Sequence, residues 1–146
     1  MKEGISALSR QQRDNVLVRL KEAQSECGYL TEAILNSIAE SNGVTVGDVY
    51  GVATFYSFLS VRPMGRNVIR VCRSLPCHLK SAETVVDVLT RSLGITPGET
   101  TGDGRFSLEL VNCIGACDHA PAMLVNGNLH GDLTPDGMAA ILAEYK

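Results

Sequence analysis

The sequence predicts an α/β protein in which a small helical bundle precedes a domain built on a mixed sheet. Three observations carry this reading. Apolar residues recur at helical spacing up to about residue 65, a proline and glycine break follows, and beyond it short β-branched or alternating segments are interleaved with further helical stripes. The break, Pro63 to Gly65, divides a helical region over residues 1–65 from an α/β domain over residues 66–146.

The helical region contains three stripes. Val16, Leu20, Ala23 and Cys27 form the first, Ile34, Leu35, Ile38 and Ala39 the second, and Val46, Val49, Tyr50 and Ala53 the third. Thr31 and Thr45 stand where N-caps belong, and Gly28 and Gly43 where helices stop in the left-handed conformation. Cys27, on the first stripe, is expected to be a small buried hydrophobe. Phe55, Tyr56 and Phe58 are expected to pack between helices or against a partner.

After the break, Asn67 to Cys72 is short and β-branched, with apolar Val68, Ile69 and Val71 on both faces, which suits a central strand. A helix follows on Ala82, Val85, Val86, Leu89 and Leu93, with Ser81 near its start and Gly94 at its stop. Ile95 to Arg105 is a glycine-rich loop. In the next strand Phe106, Leu108 and Leu110 alternate with Ser107 and Glu109. Ala122 to Val125, the Asn126-Gly127 turn and a return through Leu129 read as a hairpin. The last helix is expected to open at Thr134-Pro135 and to bury Met138, Ile141, Leu142 and Tyr145.

At 146 residues and 45% hydrophobic, the chain is long enough for a real core. A net charge of -3 leaves no basic footprint for nucleic acid or an anionic membrane, so the expected partners are proteins. Neither a basic, apolar leader nor a membrane-spanning run is evident, so a cytoplasmic protein without membrane insertion is expected. In a reducing compartment paired cysteines point to metal or redox chemistry before structural disulfides.

Four of the five cysteines form two pairs, Cys72-x4-Cys77 and Cys113-x3-Cys117. If the strands 67–72 and 106–111 are parallel neighbours, the crossover helix forces their C-terminal ends to one edge of the sheet, where open α/β sheets place their ligands. All four sulfurs then converge. The spacing favours an iron–sulfur cluster, with zinc and local disulfides as the alternatives. A thioredoxin-type dithiol would need C-x-x-C, which is absent, and a Rieske centre would need two histidine ligands. His78 and His119 adjoin the cysteines and read as loop residues near the metal. Gly102-x-Gly104 lacks the final glycine and the following helix of a dinucleotide fingerprint, no P-loop is present, and the scattered acids with His130 form no catalytic set.

The run Gly94 to Thr101, then Asp103-Gly104-Arg105-Phe106, then Cys113-Ile114-Gly115-Ala116-Cys117 with Ala120-Pro121, resembles the thioredoxin-like [2Fe-2S] subunit of respiratory complex I. The same family supplies small subunits of soluble NAD-linked hydrogenases, including electron-bifurcating ones, and of formate dehydrogenases. Upstream, Asp48 to Phe58 resembles that family's helical N-terminal part, so the likeness runs from about Ser9 to the end. It implies a thioredoxin-like fold for residues 66–146 and one [2Fe-2S] cluster held by Cys72, Cys77, Cys113 and Cys117. It also implies FMN and NAD(H) on a partner subunit, with a further iron–sulfur or hydrogenase-type catalytic subunit beyond it. The helical region would then dock partners. Ser81 departs from a common glycine, and Asn112 from a common acidic residue. Gly115 lies between two of the implied ligands, where it reads either as a glycine that lets backbone close over a sulfur or as an ordinary turn glycine. Pro121 reads as a stiffener of the loop's exit or as a proline at the start of a strand.

Overall fold

The computed structural model describes residues 10–145. They form two compact units whose boundary in the chain lies between Pro63 and Met64.

The N-terminal unit holds α1 (Arg10–Cys27), α2 (Glu32–Asn42) and α3 (Val46–Phe55). Its helix ends follow local chemistry. The Thr31 hydroxyl accepts the Ile34 N–H, and Thr45 with Asp48 makes a reciprocal capping box. Gly43, at φ +64°, closes α2 in the left-handed conformation. Val16, Leu20, Leu35, Ile38, Ala39, Val49 and Ala53 meet in one core with Leu30 and Leu59. Gln24 ties the outgoing segment down, its amide donating to the Phe58 carbonyl and accepting the Ser60 N–H, both at 2.6 Å.

Two expectations fail in this unit. Cys27 is exposed, because α1 ends at that residue and Gly28, at φ +82°, turns the chain away before the stripe reaches the packed region. The third stripe is buried only at Val49 and Ala53. Val46 and Tyr50 stay exposed, and Phe55 is 79% exposed at the helix end. Tyr56 does pack on the core, edge-on to Phe55 with ring centroids 5.0 Å apart.

The C-terminal unit runs β1 (Asn67–Cys72), α4 (Leu75–Leu79), α5 (Ala82–Leu93), β2 (Phe106–Val111), a 3-10 turn (Cys117–His119), β3 (Met123–Val125), β4 (Asn128–His130) and α6 (Met138–Glu144). The sheet is mixed, in the order β2-β1-β3-β4. β1 pairs parallel with β2, from Asn67 opposite Phe106 to Cys72 opposite Val111, and antiparallel with β3. Arg70 and Glu109, opposite each other in that register, form an ion pair at 3.3 Å. Ile69, Val71, Leu108, Met123 and Val125 from the sheet pack against Val85 and Leu89 of α5 and Met138 of α6. Each fully buried side chain of this size contributes roughly 1.5–3 kcal/mol.

Simple alternation misplaced two residues of β2. Ser107 is 1% exposed, whereas Leu110 is 37% exposed. The loop before β2 folds back over its free edge, with the Thr101 N–H on the Phe106 carbonyl at 2.8 Å and the Leu108 N–H on the Glu99 carbonyl at 3.0 Å. The first three residues of the strand are buried, Ser107 among them, and its hydroxyl is satisfied by the Gly65 N–H at 2.7 Å and by the Thr100 hydroxyl at 2.6 Å. The last helix also begins later than expected. Thr134 to Gly137 form a turn, in which the Gly137 N–H reaches the Thr134 carbonyl at 3.1 Å, and α6 starts at Met138.

Candidate metal centre

β1 carries Cys72 to the C-terminal edge of the sheet, and pairing runs one residue further through the Arg73 N–H on the Val111 carbonyl at 2.9 Å. The chain then turns at Ser74 into α4, which begins with a proline in its first turn and bonds the His78 N–H to the Ser74 carbonyl at 2.9 Å. That short helix carries Cys77 inward. Cys72 and Cys77 are each 2% exposed and lie among Ala82, Ala116, Ala120 and Ala122, with Ile114 packed alongside. Four of the residues buried with these two cysteines are thus alanines, so bulk there is small.

The second pair sits on the loop after β2. Cys113 follows the strand by two residues, and Cys117 opens the 3-10 turn. Their sulfurs are 3.6 Å apart, both side chains are exposed, and the Gly115 N–H lies 3.4 Å from the Cys113 sulfur. A Cβ on Gly115 would meet nothing within 4 Å, so its φ of +80°, and not a close approach, is what calls for glycine.

The two pairs face one another. The Cys72 thiol is pushed up by burial, but the N–H groups of Ser74 and Ile114, the Cys77 thiol and the Ser74 hydroxyl outweigh this and hold its pKa below the ordinary value. Ile114 belongs to the second loop, so one loop's backbone stabilises the other loop's thiolate. Burial raises Cys77 despite the Ala122 N–H, and the charges of Cys72 and Cys117 add to the rise. Cys117 is raised by its hydrogen bond with Cys113 and by the charges of Cys113 and Cys72. Deprotonating all four costs repulsion that a cation would remove. Among the described residues no three His, Cys, Asp or Glu side chains are grouped to hold a single metal ion; Cys113 is hydrogen-bonded to Cys117, and Cys72 to Cys77. A two-iron cluster with two thiolates on each iron uses four donors so divided. The donor chemistry and the alanine surroundings therefore fit a [2Fe-2S] group.

Several neighbours shape this edge. The His119 Nδ1–H donates to the Asp132 carboxylate at 2.9 Å, and its Nε2 lies 3.5 Å from Asp118. The Asp132 hydrogen bond, then the Asp118 charge, hold the His119 pKa above the ordinary histidine value. His78 pairs with Glu83 at 3.3 Å on the exposed face. A crevice of about 460 Å³ opens beside Cys72 and is lined by Arg73, His78, Glu83, Asp87 and Leu110 among others. Ser81 sits at φ +65°, the left-handed conformation that favours glycine, and makes no capping bond through its side chain, so nothing in the structure explains the serine there. Pro121 follows a cis peptide bond.

The segment between Cys72 and Cys77, expected as a plain loop, is helical over Leu75–Leu79. Ser74 before Leu75-Pro76 is the local signal that would have shown it. The contact of the 131–133 segment with the second cysteine loop has no such signal, because it joins residues far apart in sequence. Cys27 belongs to α1, in the other unit.

No helix among the described residues is long and apolar enough to cross a membrane. The model of the thioredoxin-like [2Fe-2S] ferredoxin family matches residues 1–146. A component of the NADH-quinone oxidoreductase of Pseudomonas aeruginosa is 44% identical over 126 residues, covering 86% of this chain and 76% of that one. The NADP-reducing hydrogenase subunit HndA of Solidesulfovibrio fructosivorans is 37% identical over 135 residues, covering 92% and 79%. The crystal structure of an air-oxidised NAD+-reducing [NiFe]-hydrogenase superposes with a TM-score of 0.79 at 25% identity, over 94% of this chain and only 24% of that one. A helical unit followed by a mixed-sheet α/β unit, and a match along the whole sequence, place this chain in the thioredoxin-like [2Fe-2S] ferredoxin family.

Proposed function

We propose that this chain is the electron-transfer subunit of a multisubunit, flavin-dependent NAD(P)(H) oxidoreductase and that Cys72, Cys77, Cys113 and Cys117 hold its single [2Fe-2S] cluster. The observation that carries the reading is the meeting of two thiol pairs at one edge of the sheet, with the Ile114 N–H of one loop directed at the Cys72 sulfur of the other. Such a cluster supplies a one-electron donor and acceptor. The residues of this chain do the rest. Ser74, Ile114, Gly115 and Ala122 present N–H groups to the sulfurs and favour their charged form. The alanine-lined wall keeps water from the inner pair, while the exposed outer pair leaves a side open to a redox partner.

A one-electron centre cannot take a hydride, so coupling to a nicotinamide requires a flavin that splits the electron pair. We assign that flavin to an FMN- and NADH-binding partner, with a further iron–sulfur or hydrogenase-type subunit in the same assembly; relatives named as subunits of an NADH-quinone oxidoreductase and of an NADP-reducing hydrogenase support such an assembly. Val46 and Tyr50, one turn apart on α3, and Phe55 at the helix end leave apolar side chains of the helical unit exposed and available for docking. The competing reading is a free-standing carrier of the same family.

Native purification with metal, sulfide and flavin analysis tests both parts. Two irons and two sulfides per chain, an EPR signal on reduction, and an FMN protein travelling with the chain are expected. A colourless zinc protein would overturn the cluster, and a cluster-bearing chain that purifies alone would favour the diffusible carrier.

A further inference from the structure

Beyond the four sulfurs, one contact joins a distant segment to the outer cysteine loop with unusual tightness. Gly131 lies so close to His119 that an added Cβ would stand 2.5 Å from the His119 Cβ and 3.0 Å from its carbonyl oxygen. The next residue, Asp132, bonds the same histidine twice. Its N–H donates to the His119 carbonyl at 2.7 Å, and its carboxylate meets the His119 ring Nδ1 at 2.9 Å. The Leu133 N–H then reaches the Pro121 carbonyl at 3.1 Å.

Asp132 holds this position at φ +50°, a conformation that disfavours any residue with a Cβ and which Asp and Asn tolerate better than most. A strained backbone persists where surrounding contacts over-determine it. Here both the main chain and the side chain of Asp132 converge on His119, the last residue of the 3-10 turn that Cys117 opens. The turn itself is short, closed by the His119 N–H on the Ala116 carbonyl at 3.1 Å, and the two cysteines beside it are exposed. Nothing in three residues of 3-10 helix is stiff enough to fix a sulfur by itself.

We propose that Asp132 is a positioning residue for the outer cysteine loop, clamping His119 so that the Cys117 sulfur is held in place for the metal. This inference rests on the assignment of Cys113 and Cys117 as ligands. The clamp is the outer loop's substitute for the packing that the inner pair receives from its alanines. Outer groups that orient metal ligands act on retention and on redox properties, and their loss typically weakens metal binding by about 10- to 100-fold.

The test uses the full chain loaded with its cluster. Asp132→Gly removes the carboxylate while relieving the left-handed backbone, so the fold is expected to survive. Asp132→Asn, which also tolerates this backbone, is the second variant and should be intermediate. Expected are iron loss to a chelator faster by about 10-fold, a displaced midpoint potential and altered EPR g-values. His119→Ala should behave alike, and the double variant His119→Ala with Asp132→Gly should add nothing to either alone. Wild-type potential, g-values and iron loss in both Asp132 variants would overturn the clamp, even if the melting temperature fell. So would additive effects in the double variant. Cys117→Ser separates the two levels: retention of full iron there sinks the ligand assignment, whereas iron loss in Cys117→Ser beside an unaltered Asp132→Gly sinks only the clamp.

Discussion

The inner and outer cysteine pairs are held in place by opposite means. Cys72 and Cys77 are held by secondary structure and burial: one ends the central strand, the other rides a short helix, and alanines close around both. Cys113 and Cys117 are exposed and depend on turn geometry, with a left-handed glycine between them and a distant segment clamped behind. A site built this way has a rigid, dry side and a wet, adjustable side. On the proposed ligand assignment retention of the cluster would need both, but the stability of the fold should depend on the first far more than on the second.

The largest expected effect treats the pairs as equals. If the proposed assignment holds, Cys72→Ser and Cys113→Ser each remove a thiolate donor, and iron content should fall from near full to near zero in both. Cys27→Ser, on α1 and outside either pair, should leave iron unchanged. Equal loss at Cys27 would overturn the pairing.

Fold stability is where the pairs should part. In the metal-free chain, Cys77→Ser puts a hydroxyl among methyl groups and should cost roughly 1–3 kcal/mol, whereas Cys117→Ser on the exposed loop should stay within about 0.5 kcal/mol. Denaturant unfolding followed by circular dichroism reads both. Matching losses at the two sites would erase the distinction between a buried and an open side.

The left-handed positions sharpen the same contrast. Gly115 on the outer loop is glycine, but Ser81, after the inner pair, is not, though both have positive φ. Gly115→Ala should cost about 1–2 kcal/mol of local stability, with no clash to confuse the result, and should speed iron loss. Ser81→Gly should instead stabilise the chain by about 0.5–1 kcal/mol, because its side chain makes no capping bond. A destabilised Ser81→Gly would mean that the serine holds something its cap geometry does not reveal.

What was legible in the sequence follows the same division. A rule about crossovers made the sheet edge readable: two parallel strands with a helix between them end at one edge, and Cys72 does stand opposite Val111, two residues before Cys113. The caps at Thr31 and Thr45 and the Asn126-Gly127 turn were local, and local chemistry is readable. α4 escaped periodicity, which five residues are too few to carry, and only the Ser74 cap position before Leu75-Pro76 marks it. Cys27 followed the stripe but lay at its very end, where helix termination and not periodicity decides exposure. Ser107 was placed by alternation, which assumes one open face, yet a loop covers the edge of β2. The hold of Asp132 on His119 spans thirteen residues and arises only from the folded backbone.

The smallest effect concerns the strand that carries the outer pair. The loop covering the edge of β2 is pinned by two exposed carboxylates. Glu99 accepts the Thr96 N–H at 2.7 Å, which lowers its pKa; Asp103 is lowered first by the Thr101 hydroxyl and then by the Arg105 N–H at 3.0 Å. A carboxylate with a lowered folded pKa adds stability above its ordinary pKa, and that stability is lost as pH falls through the lowered value. Acid should therefore loosen the β2 edge, where Leu108 donates to Glu99, before it touches the pairing of β1 with β3. Amide exchange, corrected for its intrinsic pH dependence, should rise at Leu108 and Thr101 across that window while Val71 stays protected. In Glu99→Gln with Asp103→Asn the rise should disappear. If Val71 and Leu108 open together instead, the sheet responds as one body, and the outer pair's strand is no softer than the inner one's.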